Sequence, residues 1–256
     1  MKAIILAAGS GTRMGALTEN LPKGMLNVNG KTVIERQLEV LREIGVNDII
    51  VVTGFQAEKI AYKGVRYYHN SLFATTNMVE SLMCARAELT EDVIVAYADI
   101  VYSKDLAKAV ASSPYDIGVA VDEAWRDYWM LRYGTTETDL ESLSVSKDAM
   151  ITDIGRPLDS STGVNYRYIG LLKFSKRGLD NIFSVYDKRK ASRSLWPQSG
   201  KPFEKGYMTD ILHESIVSRF PVQAIVVKQG WVEFDTVEDY EVGLRCLSNP
   251  DTLRGK

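Results

Sequence analysis

The first 25 residues, MKAIILAAGSGTRMGALTENLPKGM, constrain the fold more than any other stretch. Lys2 to Ala7 is an unbroken apolar run rich in isoleucine, bounded by Gly9. That is the pattern of a strand buried on both faces, as in a parallel sheet. The loop Gly9-Ser10-Gly11-Thr12-Arg13-Met14-Gly15 follows, then Pro22-Lys23. Glycines let backbone N–H groups turn inward and approach a polyphosphate closely. Arg13 can fork onto phosphate oxygens, and Lys23 supplies a point charge. In open α/β sheets such sites lie at the carboxyl ends of strands.

Two better-known phosphate loops do not fit. A Walker A loop requires Lys after its last glycine, and Ala16 follows Gly15. A dinucleotide fingerprint requires G-x-G-x-x-G. Gly9 and Gly11 satisfy it, but Met14 takes the third position and Gly15 comes one residue late.

The rest of the chain alternates strands and helices. Ile34, Leu38, Leu41 and Ile44 recur at helical spacing before Gly45, and DIIVVT at 48–53 reads as a second buried strand. Together with the first strand these make a right-handed βαβ unit. Further strands are expected at 65–69, 93–97 and 117–121, with helices from Asn77 and near 104–111. Asn77 and Glu80 fit a capping box. Between 128 and 174 the pattern changes to short β-like stretches, YWMLRY, ESLSV, MITDI and YRYIGLLKF, separated by turn signals, as in an antiparallel insertion or an extension of the sheet. Residues 191–206, with two prolines and two glycines, should be a loop. A helix at 208–219, a strand at 222–228, the segment GWVEFDT and a last amphipathic helix complete the chain. The expectation is one α/β domain over 1–256 with a β-rich insertion at 123–206 that shapes the acceptor side.

The formal net charge of -2 provides no global attraction for nucleic acid or anionic membranes, so any anion site must be built locally. No run approaches the roughly 20 apolar residues of a membrane helix. Nothing at the N-terminus resembles a signal peptide, and Cys84 and Cys246 form no C-x-x-C pair. A cytoplasmic protein with reduced thiols is expected, and its state of self-association, including a homo-oligomer, is left open.

L-A-A-G-x-G-T-R-M-G followed by P-K resembles the signature of the nucleotidyltransferases that activate sugar phosphates and small alcohol phosphates. The resemblance implies a Rossmann-like (GT-A-like) three-layer α/β sandwich with a mixed, mostly parallel sheet. It also implies roles. Leu6, Ala7, Ala8, Gly9, Ser10, Gly11 and Thr12 would wrap the base and phosphates. Arg13 would hold the β- and γ-phosphates, and Lys23 would sit between the α-phosphate and the acceptor phosphate. Asp99, ending VIVAYAD, and Asp235, in GWVEFDT, match the pair that binds Mg²⁺, an ion usually held by one or two carboxylates plus substrate phosphates. Glu233 is a further candidate, and Asp235 could instead cap the last helix. No general base is needed, because a phosphomonoester with a second pKa of about 6 is already a nucleophile near neutrality. The chain's two histidines stand in no triad-like setting.

HNSLFATTNMVESLMCA resembles a subgroup of phosphocholine-type cytidylyltransferases. That likeness implies CTP and a small phosphate or phosphonate acceptor: phosphocholine, aminoethylphosphonate or glutamine phosphate. Thr76, Asn77 and Ser81 would meet the base or acceptor, although Asn77 also suits a helix cap. Acceptor selection is expected in WRDYWMLRY, where Trp125, Tyr128 and Trp129 could wall a cationic head group. Arg132, Arg156 and Arg167 suit a carboxylate, and the combination suggests a zwitterion. Gly170, in RYIGLLKF, would allow close ligand approach or close strand packing. The rival readings are a sugar-1-phosphate nucleotidyltransferase and a nucleotide-binding regulatory module without turnover.

Overall fold

The computed structural model describes residues 1–249. Strand β1 (Lys2–Ala7) runs into a one-turn coil at Thr12–Leu17. The small hairpin β2 (Asn27–Val28) and β3 (Lys31–Thr32) leads to helix α1 (Val33–Glu43). A complete capping box between Thr32 and Glu35 starts α1. Strands β4 (Asp48–Thr53) and β5 (Val65–His69), helix α2 (Met78–Cys84) and strand β6 (Val93–Tyr97) follow. Then come β7 (Ile100–Tyr102), α3 (Lys104–Ala111), β8 (Ile117–Asp122), α4 (Trp125–Tyr133), β9 (Glu141–Val145) and β10 (Ile151–Pro157). The remaining elements are β11 (Arg167–Phe174), α5 (Lys176–Ser192), α6 (Met208–Val217), β12 (Gln223–Val227), β13 (Trp231–Glu233) and α7 (Val237–Ser248).

Seven strands form the central sheet in the order β12-β8-β11-β6-β1-β4-β5. β11 is antiparallel to both neighbours and all other pairings are parallel. β1 lies inside the sheet and its side chains alternate between two cores. Ala3, Ile5 and Ala7 face one core with α1, α3, α4 and α7, and Ile4 and Leu6 face the other with α2, α5 and α6. Burial of each such isoleucine contributes about 1.5–3 kcal/mol. The result is the expected three-layer, mostly parallel α/β architecture. Among the described residues no helix is long and apolar enough to cross a membrane.

Two expectations for the second half are corrected and one is narrowed. YWMLRY is not β-like but forms most of α4. Trp125, Tyr128, Trp129 and Arg132 share its buried face at helical spacing, and Gly134 ends it in a left-handed turn (φ 67°). Tertiary burial of that face outweighs the β preference of its aromatics. RYIGLLKF is an antiparallel extension of the main sheet, one of the two placements the sequence allowed, rather than part of a separate insertion. As β11 it occupies the middle of the main sheet, which leaves β9 and β10 as the separate antiparallel pair. Finally, α5 is a 17-residue helix capped by Ser175 where no element was expected. The loop that follows is anchored by Trp196, whose indole is fully buried, stacks on Phe203 and donates to the Phe203 carbonyl at 2.8 Å.

Candidate active site

A cleft opens at the carboxyl end of β1. Leu6, Ala7, Ala8, Gly9, Gly11, Thr12 and Arg13 line it together with Lys23 and Asp99. Gly11 is required on two counts. Its φ of +65° is left-handed, and a β-carbon there would stand 2.6 Å from Lys23 Cγ. The lysine stem packs against the glycine backbone, and the Thr18 hydroxyl closes the loop by donating to the Gly11 carbonyl at 2.7 Å.

The Lys23 ammonium lies between two carboxylates. It donates to Asp99 Oδ2 at 3.2 Å and to Asp235 Oδ1, while Arg13 Nη1 reaches Asp235 Oδ2 at 2.6 Å. Lys23 and the two aspartates are mostly buried, whereas the Arg13 side chain is 67% exposed. Burial opposes the lysine's charge, but Asp99, Asp235 and Glu233 more than offset it and hold its pKa above the ordinary lysine value. Arg13 is long and exposed enough to leave Asp235 for a phosphate.

Residues far apart in sequence hold this geometry. Asp99 sits in the turn between β6 and β7. Gln37, a buried polar residue on the apolar face of α1, donates Nε2 to the carbonyls of Tyr97 (2.7 Å) and Ile100 (2.5 Å), bracketing that turn. The Phe234 N–H donates to the Asp99 carbonyl at 2.8 Å, which carries Asp235 beside Asp99. Asp235 does not cap the last helix. Thr236 does, accepting from the Asp239 N–H in a capping box. Sequence reasoning missed Gln37, although a glutamine on an otherwise apolar helical stripe was a usable signal.

Thr76, Asn77 and Ser81 also line the cleft. Asn77 caps α2 by accepting from the Met78 N–H at 2.9 Å. The Thr76 and Ser81 hydroxyls donate to the carbonyls of Leu72 and Asn77 and accept from Asn70. Ser10 belongs to the same loop but lies outside the cleft lining.

The aromatics expected to wall the acceptor are buried instead. Trp125, Tyr128 and Trp129 are at most 1% exposed, within the core under α4. Arg132 is equally sealed. It grips Asp239 bidentately through Nε and Nη2, both at 2.7 Å, and reaches Glu233 at 2.7 Å through Nη1. This corrects its assignment to the acceptor and makes Glu233 half of an internal ion pair. Burial raises the Glu233 pKa, Arg132 lowers it, and Asp99 and Asp235 raise it again, leaving it above the ordinary value. Arg156 is over half exposed and pairs with Asp153 on its own strand at 3.4 Å, away from the cleft lining. Arg167 stacks on Trp129, its guanidinium carbon 4.5 Å from the ring centroid. The cation over that aromatic is therefore the protein's own.

The donor set suits a hard divalent cation. Asp99 Oδ1 is buried with no hydrogen-bond partner, and the Lys23 ammonium bridges Asp99 to Asp235. Two carboxylates leave the remaining positions for phosphate oxygens and water, the usual arrangement for Mg²⁺. Among the described residues no cluster of three or more His, Cys, Asp or Glu forms an all-protein cage.

Comparison with known proteins identifies the family. The MobA-like NTP transferase domain matches residues 3–162. The chain is 31% identical over 253 residues to the CTP:phosphoglutamine cytidylyltransferase of Campylobacter jejuni, covering 94% of this chain and 98% of that one. It is 37% identical over 138 residues to the choline-phosphate cytidylyltransferase of Streptococcus pneumoniae, 52% of this chain and 59% of the relative. The solved structure of the CTP:phosphocholine cytidylyltransferase from Streptococcus pneumoniae superposes with a TM-score of 0.75 at 28% identity, over 96% of this chain and 98% of that one. This chain therefore belongs to the family of MobA-like NTP transferase domains, in the group of nucleotidyltransferases that resembles the phosphocholine-type cytidylyltransferases.

Proposed function

We propose that this protein transfers CMP from CTP to a phosphate or phosphonate oxygen of a small acceptor. The observation that carries the reading is the Lys23 ammonium held between Asp99 and Asp235 at the end of the glycine-loop cleft. An acceptor oxygen attacks the α-phosphorus of CTP, a new P–O bond forms, the bond to the β-phosphate oxygen breaks, and pyrophosphate leaves. No proton need be removed from the nucleophile, since a phosphomonoester with a second pKa of about 6 is largely dianionic at neutral pH. Alignment and neutralisation of crowded negative charge remain as the catalytic task.

Residues 1–256 act as one transferase unit, with 123–206 shaping its acceptor side. Leu6 to Thr12 cradle the base and phosphates together with Thr76, Asn77 and Ser81, and Arg13 swings from Asp235 onto the β- and γ-phosphates. Lys23 neutralises the α-phosphate and the incoming acceptor phosphate. Asp99 and Asp235 would hold Mg²⁺, which when bound supplies positive charge to the triphosphate. The reading takes support from the relatives named for CTP and small phosphate acceptors.

A panel of CTP, UTP, GTP and ATP against phosphoglutamine, phosphocholine, aminoethylphosphonate and glucose-1-phosphate tests it. Pyrophosphate release should require CTP, Mg²⁺ and a small acceptor together. Turnover with glucose-1-phosphate alone overturns the acceptor class, and nucleotide binding without turnover on any acceptor favours a regulatory module.

A further inference from the structure

Helix α1 touches both halves of the reaction centre with one face. Ile34 and Gln37 lie one turn apart on its buried side. Ile34 packs against Gly24, the neighbour of Lys23. A β-carbon on Gly24 would stand 2.6 Å from Ile34 Cδ1 and 3.3 Å from the β-carbon of Ala98, the neighbour of Asp99. Gln37 holds the turn that carries Asp99, through its two Nε2 bonds to the Tyr97 and Ile100 carbonyls. One carbonyl precedes Ala98-Asp99 and the other follows it, so a single amide fixes the backbone on both sides of the carboxylate.

Packing does not account for a glutamine here. Gln37 is fully buried and shares its face of α1 with Val33, Ile34, Leu38 and Leu41. Its Oε1 is buried with no hydrogen-bond partner among the described residues. A buried acceptor left so lowers stability, and a leucine or methionine would have continued the apolar stripe without it. What the glutamine adds is its pair of N–H groups. The two oxygens of the carboxylate it steadies then differ. Asp99 Oδ2 accepts from Lys23 at 3.2 Å, whereas Oδ1 is buried and has no partner among the described residues. The Phe234 N–H on the Asp99 carbonyl ties the same turn to Asp235. A shift of the turn would therefore move Asp99 relative to both Lys23 and Asp235.

Resting on the cytidylyl transfer proposed above, we propose that Gln37 is a positioning residue for that reaction. Sealed from solvent and from substrate, it clamps the Tyr97–Ile100 turn and so sets Asp99 Oδ1 for a divalent cation and Oδ2 for Lys23. Removing an outer partner that orients a metal's ligand typically costs about 10- to 100-fold in metal affinity or activity.

Gln37→Met, which keeps the apolar packing but removes both donors, tests this on the full chain. Mn²⁺ binding to the CTP complex is read by electron paramagnetic resonance, turnover by steady-state kinetics at saturating Mg²⁺, and folding by the urea midpoint. The substitution should weaken Mn²⁺ binding and lower kcat, each by about 10- to 100-fold, with the KM for CTP much less changed because the glycine loop is untouched. In an Asp99→Asn background it should add little to either loss, since the residue acts through Asp99. Gln37→Asn, whose amide ends one methylene short of the two carbonyls, should show the same pattern and serves in its place where the methionine variant does not fold. A folded variant with wild-type Mn²⁺ affinity and turnover overturns the positioning role, and so do losses as large in the Asp99→Asn background as without it. Asp99→Asn that by itself leaves Mn²⁺ affinity and turnover unchanged sinks the reaction centre as a whole, which sets that failure apart from a failure of Gln37 alone.

Discussion

Two clusters of one cation and two carboxylates meet at the end of β13. Lys23 with Asp99 and Asp235 faces the cleft, and Arg132 is sealed beneath α4 with Asp239 and reaches the partly exposed Glu233. Their formal charge is the same and their physics is opposite. In the sealed cluster the planar guanidinium satisfies Asp239 on both oxygens and Glu233 on one, with the rings of Tyr128, Trp129 and Tyr133 around it. Nothing is left for a ligand. In the open cluster a compact ammonium is shared between two acids, one Asp99 oxygen remains unpaired, and the neighbouring arginine is mostly exposed. Incomplete satisfaction marks the reactive cluster, and completed geometry marks the structural one.

The largest expected effect separates them by activity. Asp99→Asn should lower kcat by about 10³-fold or more, since the lost charge neutralisation amounts to several kcal/mol at about 1.4 kcal/mol per decade. Folding stability should change far less than turnover, because Lys23 keeps its bond to Asp235. Single-turnover rates and urea midpoints measure both, and retained turnover would remove Asp99 from the reaction centre.

Arg132→Met should do the reverse. It strands Asp239 as a buried, uncompensated charge, takes the cation from Glu233, and should cost about 3–5 kcal/mol of stability by urea unfolding. A variant that unfolds like wild type but loses turnover would break the comparison and place the sealed cluster in the active site.

A third cluster at the far side of the sheet provides the smallest effect. Arg66, Tyr68 and Lys2 all hydrogen-bond Glu88 and lower its pKa to about 2. A carboxyl with a depressed folded-state pKa contributes stability that is present above its ordinary value and lost as pH falls towards the folded one. Glu88→Gln should therefore lower the thermal midpoint slightly at pH 7, with the gap to wild type narrowing below pH 4.5 and closing near pH 2. A gap independent of pH would show that packing rather than charge holds this edge.

The nucleotide side of the cleft was legible in the sequence because its parts are local. The β1 strand, the glycines, Arg13 and Lys23 lie within 25 residues, and the spacing dictates a tight loop at a strand end. The acceptor side was not. Trp125, Tyr128 and Trp129 have the composition of a binding wall, but α4 turns them inward.

The sequence by itself determined the α/β alternation and the glycine loop at the end of β1, because periodicity and backbone chemistry act over a few residues, while Asp99 and Asp235 were singled out by the family resemblance. The tertiary structure decided which charges are spent and which are free. Whether an arginine is a ligand or a brace depends on partners about 100 residues away, Glu233 and Asp239 for Arg132, and only packing brings them into contact.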